Sequence, residues 1–239
     1  MKQVINHYLA TGLLEFQPKL VMGDSASPKQ VIFHAISDIN KNISVLDIGF
    51  GAGNLGKLIK SNTETQHWQV DGIDGWEANC HNETLFLQKT YRHVWHGLAQ
   101  ELSAEQLGSY DVICLLDVIE HLDSVTAKNL LSFLLQSLSE QAVLFISTPL
   151  WFYPQESMQE GDLEEHKIGV PASSMMALIP RMYAINYPLI GGFVFGKESL
   201  PYVDFFHPTE NKSFSHDMGL AIVKATGMRN EPGVLVKLR

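Results

Sequence analysis

Residues 45–54 read Val-Leu-Asp-Ile-Gly-Phe-Gly-Ala-Gly-Asn, and this stretch decides the fold. An apolar strand leads into Asp47, and three glycines follow at alternate positions: Gly49, Gly51 and Gly53. Glycine has no Cβ and readily adopts positive φ angles, so the backbone can turn sharply here and lie flat against a ligand. A helix predicted from Asn54 would direct its N-terminal amides into the same space. The stretch therefore predicts a ligand-binding turn, the glycine loop (residues 49–53), between a strand and a helix.

The same letters also fit the dinucleotide-binding fingerprint. Residues 51–56 read Gly-Ala-Gly-Asn-Leu-Gly, and an acidic residue, Asp74, follows at a suitable distance. In that fingerprint the strand runs straight into the first glycine, whereas here Asp47 and Gly49 come before it. A pyrophosphate would also meet the negative charge of Asp47, which is costly in a partly dry site. A ligand with a positive centre and no phosphates fits better.

Strand and helix patterns alternate along most of the chain. Strands are predicted near 44–49, 68–74, 91–96, 110–116 and 142–148, and helices near 54–61, 76–89 and 124–139. Such alternation is typical of an α/β protein with a doubly wound, mostly parallel sheet and helices on both faces. Ligands then bind at the carboxyl ends of the strands, where the glycine loop falls.

The two ends of the chain are less regular. Residues 1–42 are predicted to form a helical extension, in which Ser27 caps a helix that has Pro28 at its first position. Residues 150–170, the acidic loop, have no period and are predicted to lie over the site, with the aromatic trio 151–153 walling an acceptor pocket or serving the core. Beyond it a helix is expected over 172–182 and a strand over 219–224, and residues 187–215 receive no element.

Bulk properties limit the class of protein. The net charge of −9, with no cluster of lysine or arginine, argues against a nucleic-acid groove, although a patch formed only in the fold would escape notice. The two cysteines, Cys80 and Cys114, are expected to be core thiols, which indicates a reducing cytoplasm. No signal peptide opens the chain, and no apolar run approaches the about 20 residues that span a bilayer.

Four segments in order carry a family resemblance. Asp-x-Gly-x-Gly-x-Gly at 47–53 resembles the first motif of class I S-adenosylmethionine (SAM) methyltransferases, and 70–74, 110–122 and 144–149 resemble later strands of that family. The resemblance covers roughly residues 40–170. It implies a Rossmann-like, seven-stranded methyltransferase domain over 43–239 with SAM as its cofactor.

The resemblance assigns cofactor residues one by one. It implies that Asp47 anchors the methionine end, that the three loop glycines line methionine and ribose, and that Asp74 binds both ribose hydroxyls. Gly75 and Trp76 follow Asp74, and Trp76 is expected either beside the adenine or packed against the sheet.

The adenine end departs from the family pattern. Leu98 stands where the family usually has an aspartate facing the adenine amino group. Adenine recognition is therefore expected to use backbone amides such as that of Ala99. Asp117, at the end of a predicted strand, is expected near the methionine part or the acceptor.

A second constellation lies at 117–121. Asp117, Glu120 and His121 have the spacing i, i+3, i+4, which places them on one side of a helical turn, and oxygen and imidazole donors suit Mg²⁺ or Mn²⁺. His166 is the candidate fourth ligand. The string resembles two metal-dependent branches of the family, the ubiquinone-pathway O-methyltransferases and the small-RNA 2′-O-methyltransferases, which have Glu where this chain has Asp117.

The sequence leaves the chemistry of the acceptor open. Without a metal, Glu120, His121 and His166 form the candidate catalytic set, with either imidazole as the general base. The many acids of the acidic loop disfavour an anionic acceptor, so methyl transfer to an oxygen or nitrogen of a small molecule is expected. The alternatives are a metal-assisted RNA 2′-O-methyltransferase and a SAM-binding, non-catalytic partner subunit.

Overall fold

The computed structural model describes residues 2–5, 26–87, 89–210, 215–227 and 235–238. Nine strands occur in this part of the chain: β1 (Lys2–Ile5), β2 (Ser44–Ile48), β3 (Gln69–Asp74), β4 (His93–His96), β5 (Val112–Leu116), β6 (Val143–Pro149), β7 (Met182–Asn186), β8 (Ile190–Phe195) and β9 (Val236–Lys237). The described α-helices are α1 (Val31–Ala35), α2 (Asn54–Ser61), α3 (Glu77–Cys80), α4 (Glu83–Leu87), α5 (Ala104–Gly108), α6 (Ser124–Ser137), α7 (Ala172–Ala177) and α8 (His216–Ala225). Three 3₁₀ helices cover Ala99–Glu101, Ile119–His121 and Lys197–Phe205.

All nine strands join one sheet in the order β1-β4-β3-β2-β5-β6-β8-β7-β9. The central strands β4, β3, β2, β5 and β6 are parallel, and β8, β7, β9 and β1 pair antiparallel. The doubly wound α/β class is thus confirmed. Within the described residues, the sheet has nine strands where the resemblance implied seven. The five strands located from the sequence are β2 to β6, whereas the sequence analysis located none of β1, β7, β8 and β9.

The central strands are buried because helices cover both faces. Every residue of β5, β6 and β8 is buried, as expected for strands covered on both sides. Successive residues of β5 enter different cores: Ile113 and Leu115 pack with α6, whereas Val112 and Cys114 pack on the opposite face with α1 and α2. The loops at the carboxyl ends of these strands therefore rest on a rigid base.

The segment before β2 differs from the predicted helical extension. Lys2–Ile5 is a strand that pairs with β4, and the only helix that the structure describes before β2 is Val31–Ala35. Residues 6–25 of the predicted extension lie outside the described residues. Ser27 does not cap the helix, because its hydroxyl donates to Oγ of Ser147 at 2.8 Å. A tertiary contact thus replaces the predicted capping bond.

Three other element predictions are corrected. The predicted strand over 219–224 is part of helix α8, which Ser215 caps by accepting a hydrogen bond from the amide of Met218. The helix predicted over 172–182 ends at Ala177, just before Ile179 adopts a φ of 54° and Pro180 follows. The helix predicted over 76–89 is two short helices, α3 and α4. Among the described residues, no helix is long and apolar enough to cross a membrane.

Candidate active site

The glycine loop needs glycine for two different reasons. Gly49, Gly51 and Gly53 have φ angles of 68°, 51° and 74°, a region that other L-residues rarely adopt. A Cβ on Gly49 would overlap Val118, and a Cβ on Gly53 would overlap Leu85, whereas a Cβ on Gly51 would meet nothing within 4 Å. Gly51 is therefore the position where the loop backbone faces open space.

Asp74 supports this loop from behind. Its carboxylate accepts hydrogen bonds from the amide of Gly51 at 2.9 Å, the amide of Trp76 at 2.8 Å and the side-chain amide of Asn79 at 3.1 Å. Burial raises the pKa of Asp74, and these hydrogen bonds act against that rise. The acid at the end of β3 thus joins the turns that follow β2 and β3.

Asp47 lies beneath the loop at the end of β2. The Tyr91 hydroxyl donates to its Oδ2 at 2.7 Å. The pKa of Asp47 is raised to about 7. Burial is the main cause of the rise and the charge of Asp74 adds to it, whereas the Tyr91 hydrogen bond and the charge of Lys29 act against it. The carboxylate is therefore poised between its charged and neutral forms, and a nearby cation would favour the charged one.

A cavity of about 440 Å³ opens at the carboxyl ends of the central strands. Eight of the predicted site residues line it: Asp47, Gly49, Gly51, Trp76, Asp117, Glu120, His121 and His166. The other five lie outside its lining: Gly53, Asp74, Gly75, Leu98 and Ala99. The structure thus gathers residues predicted for the methionine side and for the acceptor side around one space.

The predicted adenine-side residues lie apart from this cavity. Ala99 is buried, and Leu98 is 47% exposed. A Cβ on Gly75 would meet Leu163 at 2.7 Å and Leu98 at 2.9 Å, so Gly75 lies under these two leucines. Leu163 belongs to the acidic loop, which therefore reaches across to the turn after β3.

Asp117 does not share the helical turn of Glu120 and His121. It has a φ of 53°, so the chain bends at Asp117 before the 3₁₀ helix Ile119–His121 begins. Its Oδ1 accepts a hydrogen bond from the Ser147 hydroxyl at 3.0 Å. Of the four predicted metal ligands, the structure groups Glu120, His121 and His166, and the group does not include Asp117.

The remaining three residues form a compact group, the Glu–His–His cluster (Glu120, His121 and His166). One potential ligand atom from each lies within 4.8 Å of the other two. The imidazole rings of His121 and His166 are 4.6 Å apart in an edge-to-face arrangement. The acidic loop delivers His166 to the 3₁₀ helix that carries the other two residues.

Backbone carbonyls orient both imidazoles. Nδ1 of His121 lies 3.2 Å from the carbonyl oxygen of Glu165, and Nδ1 of His166 lies 2.6 Å from that of Tyr153. A carbonyl only accepts, so each Nδ1 carries the proton and each Nε2 keeps its lone pair. Burial lowers the pKa of His121, and it lowers that of His166 to about 4. Burial therefore favours the neutral form of both rings.

Glu120 is the most constrained acid of the cavity. It is buried, and Thr148 donates to its Oε2 at 3.1 Å. Among the described residues, its Oε1 is one of two buried side-chain oxygens or nitrogens without a hydrogen-bond partner. Burial and the nearby charge of Asp117 raise the pKa of Glu120. A buried acceptor without a partner is costly, so this oxygen fits a cation better than empty space.

Hydrogen bonds hold the acidic loop to the 3₁₀ helix and hold parts of the loop to each other. The amides of Lys167 and Ile168 both donate to the carbonyl of Glu120, at 2.8 and 3.2 Å. The amide of His166 donates to the carbonyl of Gln155 at 3.0 Å, and Asp162 accepts from the amides of Met158 and Gln159. Of the aromatic trio, Trp151 and Phe152 are buried, and Tyr153 lines the cavity.

Lys29, Gln155 and Glu164 are among the cavity-lining residues that sequence reasoning did not assign to the site. Lys29 lies in a segment that the sequence analysis interpreted only as the start of a helix. Glu164 belongs to the acids of the loop, but nothing in the sequence distinguishes it from its neighbours. Its pKa is raised by burial and by the charges of Asp162 and Asp74.

Fold and cavity together define a doubly wound α/β protein that binds its ligands at the carboxyl ends of the sheet. Residues 26–176 match the family model described as a methyltransferase domain. Because this match covers more than half of the chain, the chain belongs to the methyltransferase domain family, and its identification as a class I SAM-dependent methyltransferase is confirmed.

Individual relatives agree with this family. The ubiquinone biosynthesis O-methyltransferase of Rickettsia typhi is 31% identical over 114 residues, which make up 47% of this chain and 43% of that protein. The protein of the same name from Rickettsia prowazekii is 31% identical over 114 residues, 47% of this chain and 42% of that protein. The match thus spans less than half the length of these relatives.

A solved structure supports the fold alone. The N-terminal domain of EvdMO1 with SAH bound has a TM-score of 0.50 and 13% sequence identity, and the match covers 73% of this chain and 80% of that domain.

Proposed function

We propose that this chain transfers the methyl group of SAM to an oxygen of a small, uncharged or cationic acceptor, with nitrogen as the second candidate atom. One observation carries the proposal: Asp47 and the glycine loop line the same cavity as the Glu–His–His cluster. A cofactor site and an acid–base or metal site thus adjoin. The relatives named as O-methyltransferases support oxygen as the acceptor atom.

The cofactor roles follow from the position of each residue. Asp47 receives the ammonium of the methionine part, Gly49 and Gly51 line the adjoining chain, and Trp76 borders the nucleoside. Asp74 receives the ribose hydroxyls and already holds the Gly51 amide on the same carboxylate. Gly75, Leu98 and Ala99 are assigned to the adenine side, outside the lining of the cavity.

The acceptor side is electrostatically selective. Four carboxylates line the cavity, and they belong to Asp47, Asp117, Glu120 and Glu164. Lys29 is the only lysine or arginine among the described residues that line it. An anionic acceptor would meet this excess of negative charge, which supports a neutral or cationic small molecule over RNA.

The Glu–His–His cluster is proposed to hold a divalent cation. Its fit rests on the partnerless buried Oε1 of Glu120 and on two imidazoles whose protonated Nδ1 atoms leave Nε2 available as a ligand. Asp117 stays outside this set, bonded to Ser147. A cation there would lower the pKa of an acceptor hydroxyl bound to it.

Methyl transfer is an in-line displacement in which the bond from carbon to sulfur breaks as the acceptor lone pair bonds the methyl carbon. The protein aligns the two groups and provides for loss of the acceptor proton. Without a cation, Nε2 of His121 or His166 takes this proton. The proposal also includes a cytoplasmic location, supported by two buried free thiols, Cys80 and Cys114.

The proposal is tested in two stages. Calorimetry with SAM, S-adenosylhomocysteine and NAD⁺ first checks the cofactor, and binding of NAD⁺ alone would refute it. A panel of phenols, catechols and amines is then assayed for S-adenosylhomocysteine release, with Mn²⁺ or with EDTA. Activity on hydroxyl acceptors that EDTA abolishes supports the metal assignment, and EDTA-resistant activity assigns the imidazoles as bases.

A further inference from the structure

Two adjacent residues near the end of β6 bond the two acids of residues 117–121. The Ser147 hydroxyl donates to Oδ1 of Asp117 at 3.0 Å, and the Thr148 hydroxyl donates to Oε2 of Glu120 at 3.1 Å. Both hydroxyl-bearing residues are fully buried. Successive side chains of a strand point to opposite faces of the sheet, so each acid is bonded from a different face. The second of these bonds is the one that reaches the Glu–His–His cluster.

The backbone and one carboxylate oxygen of Glu120 are held in place. Its carbonyl accepts hydrogen bonds from the amides of Lys167 and Ile168, at 2.8 and 3.2 Å. Its Oε2 accepts from Thr148, whereas its Oε1 is buried and has no hydrogen-bond partner among the described residues. A rotation of the side chain that turned Oε1 away would break the Thr148 bond. The Thr148 hydroxyl therefore determines which oxygen of this carboxylate stays available.

Thr148 is well placed to hold a carboxylate. It lies opposite Gly191 in the antiparallel pair of β6 and β8, so the sheet fixes its backbone. Its hydroxyl has one proton to donate, and the carbonyl oxygen of Pro149 lies 3.5 Å away, farther than Oε2 of Glu120. The shorter distance favours the carboxylate as the acceptor. A side chain on a buried strand also holds a site more precisely than one on a loop.

We propose that Thr148 is a positioning residue of the Glu–His–His cluster, whose hydroxyl holds Oε2 of Glu120 and leaves Oε1 to a divalent cation. This assignment rests on the proposed function. The hydroxyl orients the carboxylate as the carbonyls of Tyr153 and Glu165 orient the two imidazoles. Loss of such a partner typically weakens metal binding about 10- to 100-fold. The competing explanation is structural: Thr148 satisfies a buried carboxylate and has no influence on a cation.

Substitutions that change only the hydroxyl distinguish the two explanations. Thr148→Val keeps nearly the same shape and removes the hydroxyl, whereas Thr148→Ser keeps the hydroxyl. The matched control is Thr65→Val, because Thr65 is also fully buried and its hydroxyl donates to the carbonyl of Ile59 at 2.8 Å, outside the cavity lining. Calorimetry with Mn²⁺ on protein dialysed against EDTA measures the affinity, and urea unfolding measures the stability. Thr148→Ala replaces Thr148→Val if circular dichroism shows that the latter does not fold.

The expected result is specific to the hydroxyl beside the cluster. Thr148→Val weakens Mn²⁺ binding about tenfold or more, Thr148→Ser retains most of the affinity, and Thr65→Val loses stability without losing affinity. An unchanged Mn²⁺ affinity in Thr148→Val, or an equal loss in Thr148→Ser or in Thr65→Val, would overturn the assignment and leave the proposed function standing.

The unmodified chain tests the basis of the assignment. If it takes up no Mn²⁺, both the role of Thr148 and the proposed metal site are overturned. Titration of the same protein with S-adenosylhomocysteine then shows whether the cofactor part of the proposed function still holds.

Discussion

The amide of Gly51 donates a hydrogen bond of 2.9 Å to Oδ2 of Asp74, and this bond ties the glycine loop after β2 to the end of β3. Oδ1 of the same carboxylate accepts from the amide of Trp76, and Oδ2 also accepts from Asn79. The acid thus shapes the loop before any ligand arrives. Its proposed role in binding ribose adds to a structural role that the backbone already requires.

Replacing Asp74 tests both roles. Asp74→Ala removes the acceptor for the Gly51 amide as well as the proposed ribose contacts, so S-adenosylhomocysteine affinity should fall by about 1–3 kcal/mol, or roughly 5- to 150-fold. Asp74→Asn keeps one oxygen that can accept a hydrogen bond, but its side-chain NH₂ group then faces amides that also donate. Its loss of affinity should be smaller than that of Asp74→Ala. Calorimetry measures each affinity, and an unchanged value for Asp74→Ala would remove the assignment.

The glycine loop offers a matched pair of substitutions. Gly51→Ala places a Cβ in open space, so it should cost only the roughly 1–2 kcal/mol of a left-handed backbone in stability, while the added methyl hinders the ligand. Gly53→Ala adds an overlap with Leu85, so it should destabilise the fold more. Urea unfolding gives the stabilities, and titration gives the affinities. Equal stability losses in the two variants would contradict the steric argument.

Asp47 should make stability depend on pH. Its pKa rises from 3.8 to about 7 on folding, so the folded chain keeps a proton that the unfolded chain has released. The contribution of this retained proton to the free energy of unfolding is complete below pH 3.8 and is lost as the pH rises through 7. Relative to Asp47→Asn, the ligand-free protein should therefore lose up to about 4 kcal/mol between these limits. Urea unfolding of both proteins at several pH values measures the difference, and a difference that does not vary with pH would refute the shift.

The Glu–His–His cluster predicts a metal site of three ligands. Glu120→Gln and His166→Ala should each weaken Mn²⁺ binding at least tenfold, because each removes one ligand, whereas His34→Ala on the exposed surface should not change it. Calorimetry on protein dialysed against EDTA measures the affinity. Equal Mn²⁺ binding in the unmodified chain and the three variants would exclude the site.

The sequence predicted what depends on local pattern. The glycine loop, the alternation of strands and helices, and the acids at strand ends follow from periodicity and short motifs, and the structure contains them at nearly the predicted bounds. The strand predicted over 219–224 was wrong because a short apolar run fits either state, and the cap at Ser215 was overlooked. Pro180, which ends α7 early, was also overlooked.

Tertiary contacts decided the rest. Ser27 resembles a helix cap, but it bonds Ser147, which is 120 residues away. Asp117 has helical spacing to Glu120, but it has a left-handed backbone, its carboxylate accepts from Ser147, and it is not part of the ligand group. Lys29 and Glu164 enter the cavity only because distant segments pack together. None of these relationships has a period or motif that a single sequence displays.

The paired amides of Lys167 and Ile168 on the Glu120 carbonyl have a consequence for engineering. They fasten the chain directly after His166 to the 3₁₀ helix, so the tip at residues 156–161 projects beyond an anchored base, and all of these tip residues are exposed. We expect that grafting tips of other lengths would reshape the entrance while leaving both imidazoles in place. Diversity in this family could then arise at the rim while the reaction centre stays constant.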